Sequence, residues 1–255
     1  MIDISVLSFQ TLGYAVLGGF IPPFIWLYFL LKEDERCPEP RTLIAVAFLG
    51  GMLAVALVLP IETLVRGYFG ATSSSCIEYL PTLCLPILIS WAIIEETFKY
   101  MVAAFFILWR KEVDEPIDLI VYMLTIALGF AALENTLFLI EPFSNSLFLS
   151  GLATNNLRFI GSTLLHVVAS TSVGFALAIS FRCGRVWRTL FVTAGLILAI
   201  ALHSLFNFFI ISTDGAHTLL AFFVVWTGAV VGFALFEILR YFEYRNLPDD
   251  TCYPS

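Results

Sequence analysis

Seven apolar runs follow one another along the chain, at roughly 8–31, 42–65, 83–108, 116–140, 157–181, 189–211 and 217–240. Each reaches or exceeds the ~20 residues an α-helix needs to cross a ~30 Å hydrocarbon layer. The polar breaks between them are short, so the pattern predicts one polytopic membrane domain over 1–255. Its fold class is all-α and integral to the membrane, a bundle of about seven (alternatively eight) transmembrane helices. Among the breaks, Lys32 to Arg41 is mixed in charge and broken by proline, and reads as a solvated linker. Tyr68–Thr82, with Thr-Ser-Ser-Ser at 72–75 and Pro81, reads as an irregular loop or re-entrant piece. The stretch from Glu141-Pro142 to Asn156 bears Phe143, Leu147, Phe148 and Leu149, and is expected along the interface.

Composition removes the soluble alternative: 60% of residues are hydrophobic, 13% are charged, and 25 are Phe. The net charge of −7 says little about partners when most of the surface meets lipid. The placement of basic residues says more. Lys32, Arg36, Arg41, Arg110, Lys111, Arg182, Arg185, Arg188, Arg240 and Arg245 fall in alternate connections, against Arg66 and Arg158 on the other side. The positive-inside rule then places the N-terminus outside and the C-terminus in the cytoplasm of a multi-pass cell-membrane protein. The start, Met-Ile-Asp-Ile-Ser, lacks a basic n-region, so the first helix is expected to be retained. Cys37, Cys183 and Cys252 fall on the reducing side, while Cys76 and Cys84 share an external segment and either pair or stay free. No basic patch interleaved with aromatics suggests nucleic acid, and no internal repeat is apparent.

Against this background the ionisable residues inside the runs stand out: Glu95, Glu96 and Lys99 in helix 3, Glu134 in helix 4, His166 in helix 5 and His203 in helix 6. A charge at a helix centre costs roughly 2.5–3.5 kcal/mol even on the lenient insertion scale, so several together point to function. Glu95 and Lys99 are four residues apart and Glu96 and Lys99 three, so either carboxylate can meet the ammonium. Adjacent residues point about 100° apart, so one glutamate is expected to pair with Lys99 and the other to remain for chemistry. Asn135 follows Glu134, and Asn207 lies one turn after His203. At 1.5 Å per residue, Glu95, Glu134, His166 and His203 all lie on the order of 10–18 Å below the external boundary. A shared layer makes convergence on one water-accessible site, within the polar core 83–211, the economical expectation.

Carboxylates, imidazoles and an amide in such a pocket suit hydrolysis of an amide or ester. A glutamate serves as general base on water, and a histidine with the Asn207 amide donates to the oxyanion. The same groups suit a divalent metal, with Glu95, Glu134, His166 and His203 as possible ligands. The pattern fixes no cofactor, and Zn2+ is the alternative. No His-Glu-x-x-His signature and no Gly-x-Ser-x-Gly elbow occurs.

Glu95-Glu96-x-x-Lys99, Phe130-x-x-x-Glu134-Asn135, Arg158 followed by His166, and His203-x-x-x-Asn207 resemble, in order, the four motifs of the PrsW family of intramembrane proteases. The resemblance implies a helical bundle around a membrane-embedded glutamate site. It implies Glu95, Glu96, Glu134, His166, His203 and Asn207 as catalytic residues, supported by Lys99, Asn135 and Arg158. The implied activity is an intramembrane endopeptidase cutting membrane-anchored proteins in the bilayer, with site-1-type cleavage of anti-sigma factors among the family's activities. Lys99 and Glu134 depart from the related prenyl endopeptidases, which carry Glu-Glu-x-x-x-Arg and a histidine at those motifs. The competing expectations are a proton-coupled transporter or channel, and a non-catalytic scaffold or immunity protein.

Overall fold

The computed structural model describes residues 8–33, 37–69, 81–144, 161–211 and 217–245. Among them the chain forms seven helices: α1 Phe9–Glu33, α2 Arg41–Tyr68, α3 Pro81–Phe106, α4 Pro116–Ser144, α5 Thr163–Ile179, α6 Arg185–Ile211 and α7 Thr218–Tyr244. The expected elements are all present, and no strand occurs among the described residues. Five of the helices, α1, α2, α4, α6 and α7, are long and apolar enough to cross a membrane. α3 is as long but carries Glu95, Glu96 and Lys99. α5 spans 17 described residues, about 26 Å, and positions 157–160 of its apolar run lie outside the described residues.

Several helices run through prolines. Pro22 and Pro23 lie inside α1, Pro60 inside α2, and Pro142 inside α4, which continues to Ser144 rather than ending at 140 as the apolar run does. Within a bilayer the helix is the only conformation that pairs the remaining backbone groups, which offsets the one hydrogen bond each proline removes.

α4 is the axis of the bundle, with 89% of its apolar window buried. It packs against α1, α2 and α5; α6 closes on α5 and α3, and α7 lies over α5 and α6. α4 is buried along most of its length and exposes little beyond Phe138, and its neighbours approach closely where side chains are smallest. A Cβ on Gly129 of α4 would strike the Phe48 carbonyl of α2, and one on Gly51 of α2 would strike the Ile126 carbonyl of α4. Added to Gly19 of α1, it would come within 2.8 Å of Ala132 O. These contacts fix the height of α4, and so of Phe130 and Glu134.

The two ends of the bundle differ. One carries Lys32, Arg41, Arg110, Lys111, Arg182, Arg185, Arg188, Arg240 and Arg245, while Arg66 lies at the other. The basic end is tied by Arg240 to Glu33 at 3.2 Å, Arg182 to Glu243 at 3.5 Å and the Tyr244 hydroxyl donating to Glu115 at 2.7 Å. Tyr122 donates to Glu39 there as well. Cys183 is free and exposed. Cys37, expected on the same reducing side, is disulfide-bonded. Arg36, Cys76, Arg158 and Cys252, and the side chain of Cys84, lie outside the described residues.

Candidate active site

The helical spacing of Glu95, Glu96 and Lys99 leaves two pairings open, and packing selects one. Lys99 Nζ lies 2.7 Å from Glu96 Oε1 and 3.8 Å from Glu95 Oε2. Its ammonium is fully buried, 4.3 Å above the Phe130 ring, a contact that lowers the cost of a cation in hydrocarbon. It also lies 2.9 Å from His166 Nδ1. An ammonium only donates, so Nδ1 accepts and the His166 proton sits on Nε2, which donates to Glu134 Oε2 at 2.9 Å.

His203 is tethered in the same manner. Its Nδ1 donates to Glu96 Oε1 at 2.8 Å, leaving Nε2 toward Glu95. The two imidazoles meet edge to face, with centroids 5.2 Å apart. Each therefore has one nitrogen on a carboxylate and the other toward Glu95 Oε2, 4.0 Å from His166 Nδ1 and 3.8 Å from His203 Nε2. That oxygen is buried and has no hydrogen-bond partner. Glu96 Oε2, Ser170 Oγ, Ser204 Oγ and Trp91 Nε1 are also buried without a partner, each within one helical turn of a site residue.

The four helices expected to converge do so, joining Glu95, Glu96, Lys99, Glu134, His166 and His203. Asn207 lies on the His203 side of α6, one turn nearer that helix's C-terminal end, and is half-buried. Asn135 is fully buried and donates to Thr163 Oγ1 at 2.9 Å, fastening α4 to the start of α5. Glu62 of α2 is an addition that the sequence reading passed over: it lies within electrostatic reach of Glu95, Glu134, Arg66 and Lys99. The available signal was a carboxylate near the end of an apolar run, two residues after Pro60.

The donor set suits a metal ion. Glu95, His166 and His203 each offer one ligand atom, all within 4.8 Å of one another. Two imidazoles and a carboxylate with an open position are a zinc-type catalytic set, and a carboxylate on the far nitrogen of each histidine is the usual support. The partnerless Glu95 Oε2 fits the same reading, provided Lys99 releases the His166 Nδ1 lone pair.

The chain is similar to known proteins over most of its length. The family profile described as "PrsW family intramembrane metalloprotease" matches residues 39–236. A Protease PrsW of Geobacillus kaustophilus is 28% identical over 222 residues, covering 85% of this chain and 90% of that protein. Those of Oceanobacillus iheyensis and Bacillus subtilis are 26% and 25% identical, each covering 76% of this chain and 82% of theirs. No solved structure matches the chain.

Proposed function

The chain belongs to the PrsW family of intramembrane metalloproteases and is a membrane protease, and from that premise we propose that it hydrolyses a peptide bond in a membrane-anchored protein with water activated at Glu95. The observation that carries the reading is the buried, partnerless Glu95 Oε2 facing two histidines, each held by a second carboxylate. Glu95 accepts the proton of the attacking water and returns it to the leaving amine. Glu96, bound by Lys99 and His203, is the orienting carboxylate. Glu134 fixes the tautomer of His166. His203 donates from Nδ1 to Glu96, which leaves Nε2 facing the pocket, and the Asn207 amide stabilises the tetrahedral oxyanion. When bound by Glu95, His166 and His203, a zinc ion would polarise the scissile carbonyl and lower the proton affinity of the water.

Glu62, Glu134, His166 and His203 lie nearer the helix ends opposite the basic residues. With the basic end in the cytoplasm, the site opens to the outer half of the bilayer. The substrate is then a protein cut near the external boundary of its membrane segment, an anti-sigma factor being the type implied by the family. The decisive experiment is cleavage of a candidate single-pass protein by purified wild type and Glu95→Gln in liposomes. Cleavage by wild type alone is expected, and equal cleavage by both would remove Glu95 from the mechanism.

A further inference from the structure

We infer that the groove between α3 and α6 at the basic end of the bundle binds one anionic phospholipid from the leaflet at that end. Its phosphate sits on Arg185 and Arg188, and an acyl chain runs along Val192 and Leu196. The inference goes beyond the hydrolytic reading of the Glu95 site and does not rest on it.

The site is a cavity of about 480 Å³, lined by α6 and by Tyr100 of α3. Arg185, Arg188, Val192 and Leu196 recur at spacings of three and four, so they share one face of α6, with Thr189 and Thr193 in the adjacent row. That face is cationic in its first turn and carries Val192 and Leu196 beyond it. From Arg185 to Leu196 the helix rises about 16 Å, the depth of one leaflet of a ~30 Å hydrocarbon layer. Trp187, between the two arginines, and Trp109, just past the end of α3, are both exposed, and tryptophan marks the headgroup level of a bilayer. The arginines therefore lie where a phosphate lies, and the apolar face where a chain lies.

Charge selects the occupant. On the α7 side of this end, arginines have acidic partners: Arg182 lies 3.5 Å from Glu243, and Arg240 lies 3.2 Å from Glu33. Among the described residues Arg185 and Arg188 make no ion pair, no acidic side chain lines the cavity, and the Tyr100 and Thr193 hydroxyls make no hydrogen bond. Two uncompensated guanidiniums with unused hydroxyl donors suit an acceptor-rich anion, and guanidinium binds phosphate bidentately. The N-terminus of α6, which begins at Arg185, adds its partial positive charge on the same side. A zwitterionic headgroup brings a cation that finds no acid here, and a water-soluble phosphate leaves the apolar face uncovered. An anionic phospholipid matches both parts, and it braces α6 against α3 two turns before His203.

The test uses the full chain in detergent micelles and needs no protein substrate. Phosphatidylglycerol and phosphatidylcholine with identical chains are titrated, and bound lipid is counted by native mass spectrometry. Wild type should prefer phosphatidylglycerol for its first bound lipid and gain melting temperature from it, as a ligand of the folded state gives. Arg185→Gln/Arg188→Gln should bind phosphatidylglycerol about 10–30-fold more weakly, as the loss of two cations at an anionic headgroup implies, and lose that thermal gain. Lys32→Gln/Arg245→Gln, which removes the same charge from the same end, should bind as wild type does. Equal binding of the two lipids by wild type, or equal loss in the control pair, would overturn the site. Displacement of the lipid by excess glycerol phosphate would overturn the lipid assignment in favour of a soluble anion.

Discussion

Glu95 and Glu96 are neighbours in sequence with different surroundings, and their substitutions should separate. Glu96 Oε1 receives both Lys99 and His203, whereas Glu95 Oε2 faces both histidine rings without a hydrogen-bond partner. Glu95→Gln is expected to retain the fold and lose about 10²–10⁴-fold in cleavage rate, the usual contribution of a general base. Melting in detergent distinguishes this loss from unfolding. Lys99→Met strands the Glu96 carboxylate in the interior and is expected to destabilise by about 3–5 kcal/mol; unchanged unfolding would remove the pair from the account. The metal set makes a separate prediction. Exhaustive chelation should abolish cleavage and added zinc should restore it, whereas activity persisting without metal would leave water activation to Glu95 alone.

At the scale of elements, the site depends on how closely α2 and α4 meet. Gly129 precedes Phe130, whose ring lies under Lys99 and 5.3 Å from the His166 ring. It lies five residues before Glu134, so a displacement of α4 moves both. Gly129→Ala places a methyl against the Phe48 backbone, which cannot move aside as a side chain can. Destabilisation of about 1–3 kcal/mol, as for overpacking, is expected together with loss of cleavage. Gly13→Ala in α1 has open space around the added methyl and should be nearly silent in both assays. If Gly129→Ala left activity intact, the helix contact would not be what sets the height of Glu134.

At the scale of the molecule, charge and cysteine chemistry point in different directions about orientation. By the positive-inside rule, the concentration of basic residues at one end would place that end in the cytoplasm. The disulfide at Cys37, on the same end, is a bond that a reducing cytosol does not sustain. We expect the charge to prevail. A cysteine at Tyr68, 86% exposed at the opposite end, should react with an impermeant thiol reagent on intact cells, and one at Thr189 should not. Cys37, trapped by acid and alkylated in cells, should then be found as the thiol. Labelling of Thr189→Cys from outside, with Cys37 oxidised, would invert the topology and move the site to the cytoplasmic half.

The amino-acid sequence by itself determined the number and class of the helices, because burial in lipid demands long apolar runs and leaves few alternatives. It also singled out ionisable residues inside the apolar runs, since His166, His203, Glu95, Glu96 and Glu134 are conspicuous against hydrocarbon. The rotation of each helix is a different kind of quantity. Spacing allowed Glu95 and Glu96 equal claims on Lys99, and only the packing of α3 against α4 and α6 gave Glu96 to Lys99 and His203 and left Glu95 facing both imidazoles. Glu62 was overlooked for the same reason: a lone carboxylate near a helix end resembles an interfacial charge until α2 is docked on α3. Tertiary structure decided these points because a hydrogen bond depends on distances of a few ångströms between helices, and local periodicity carries no term for the neighbour.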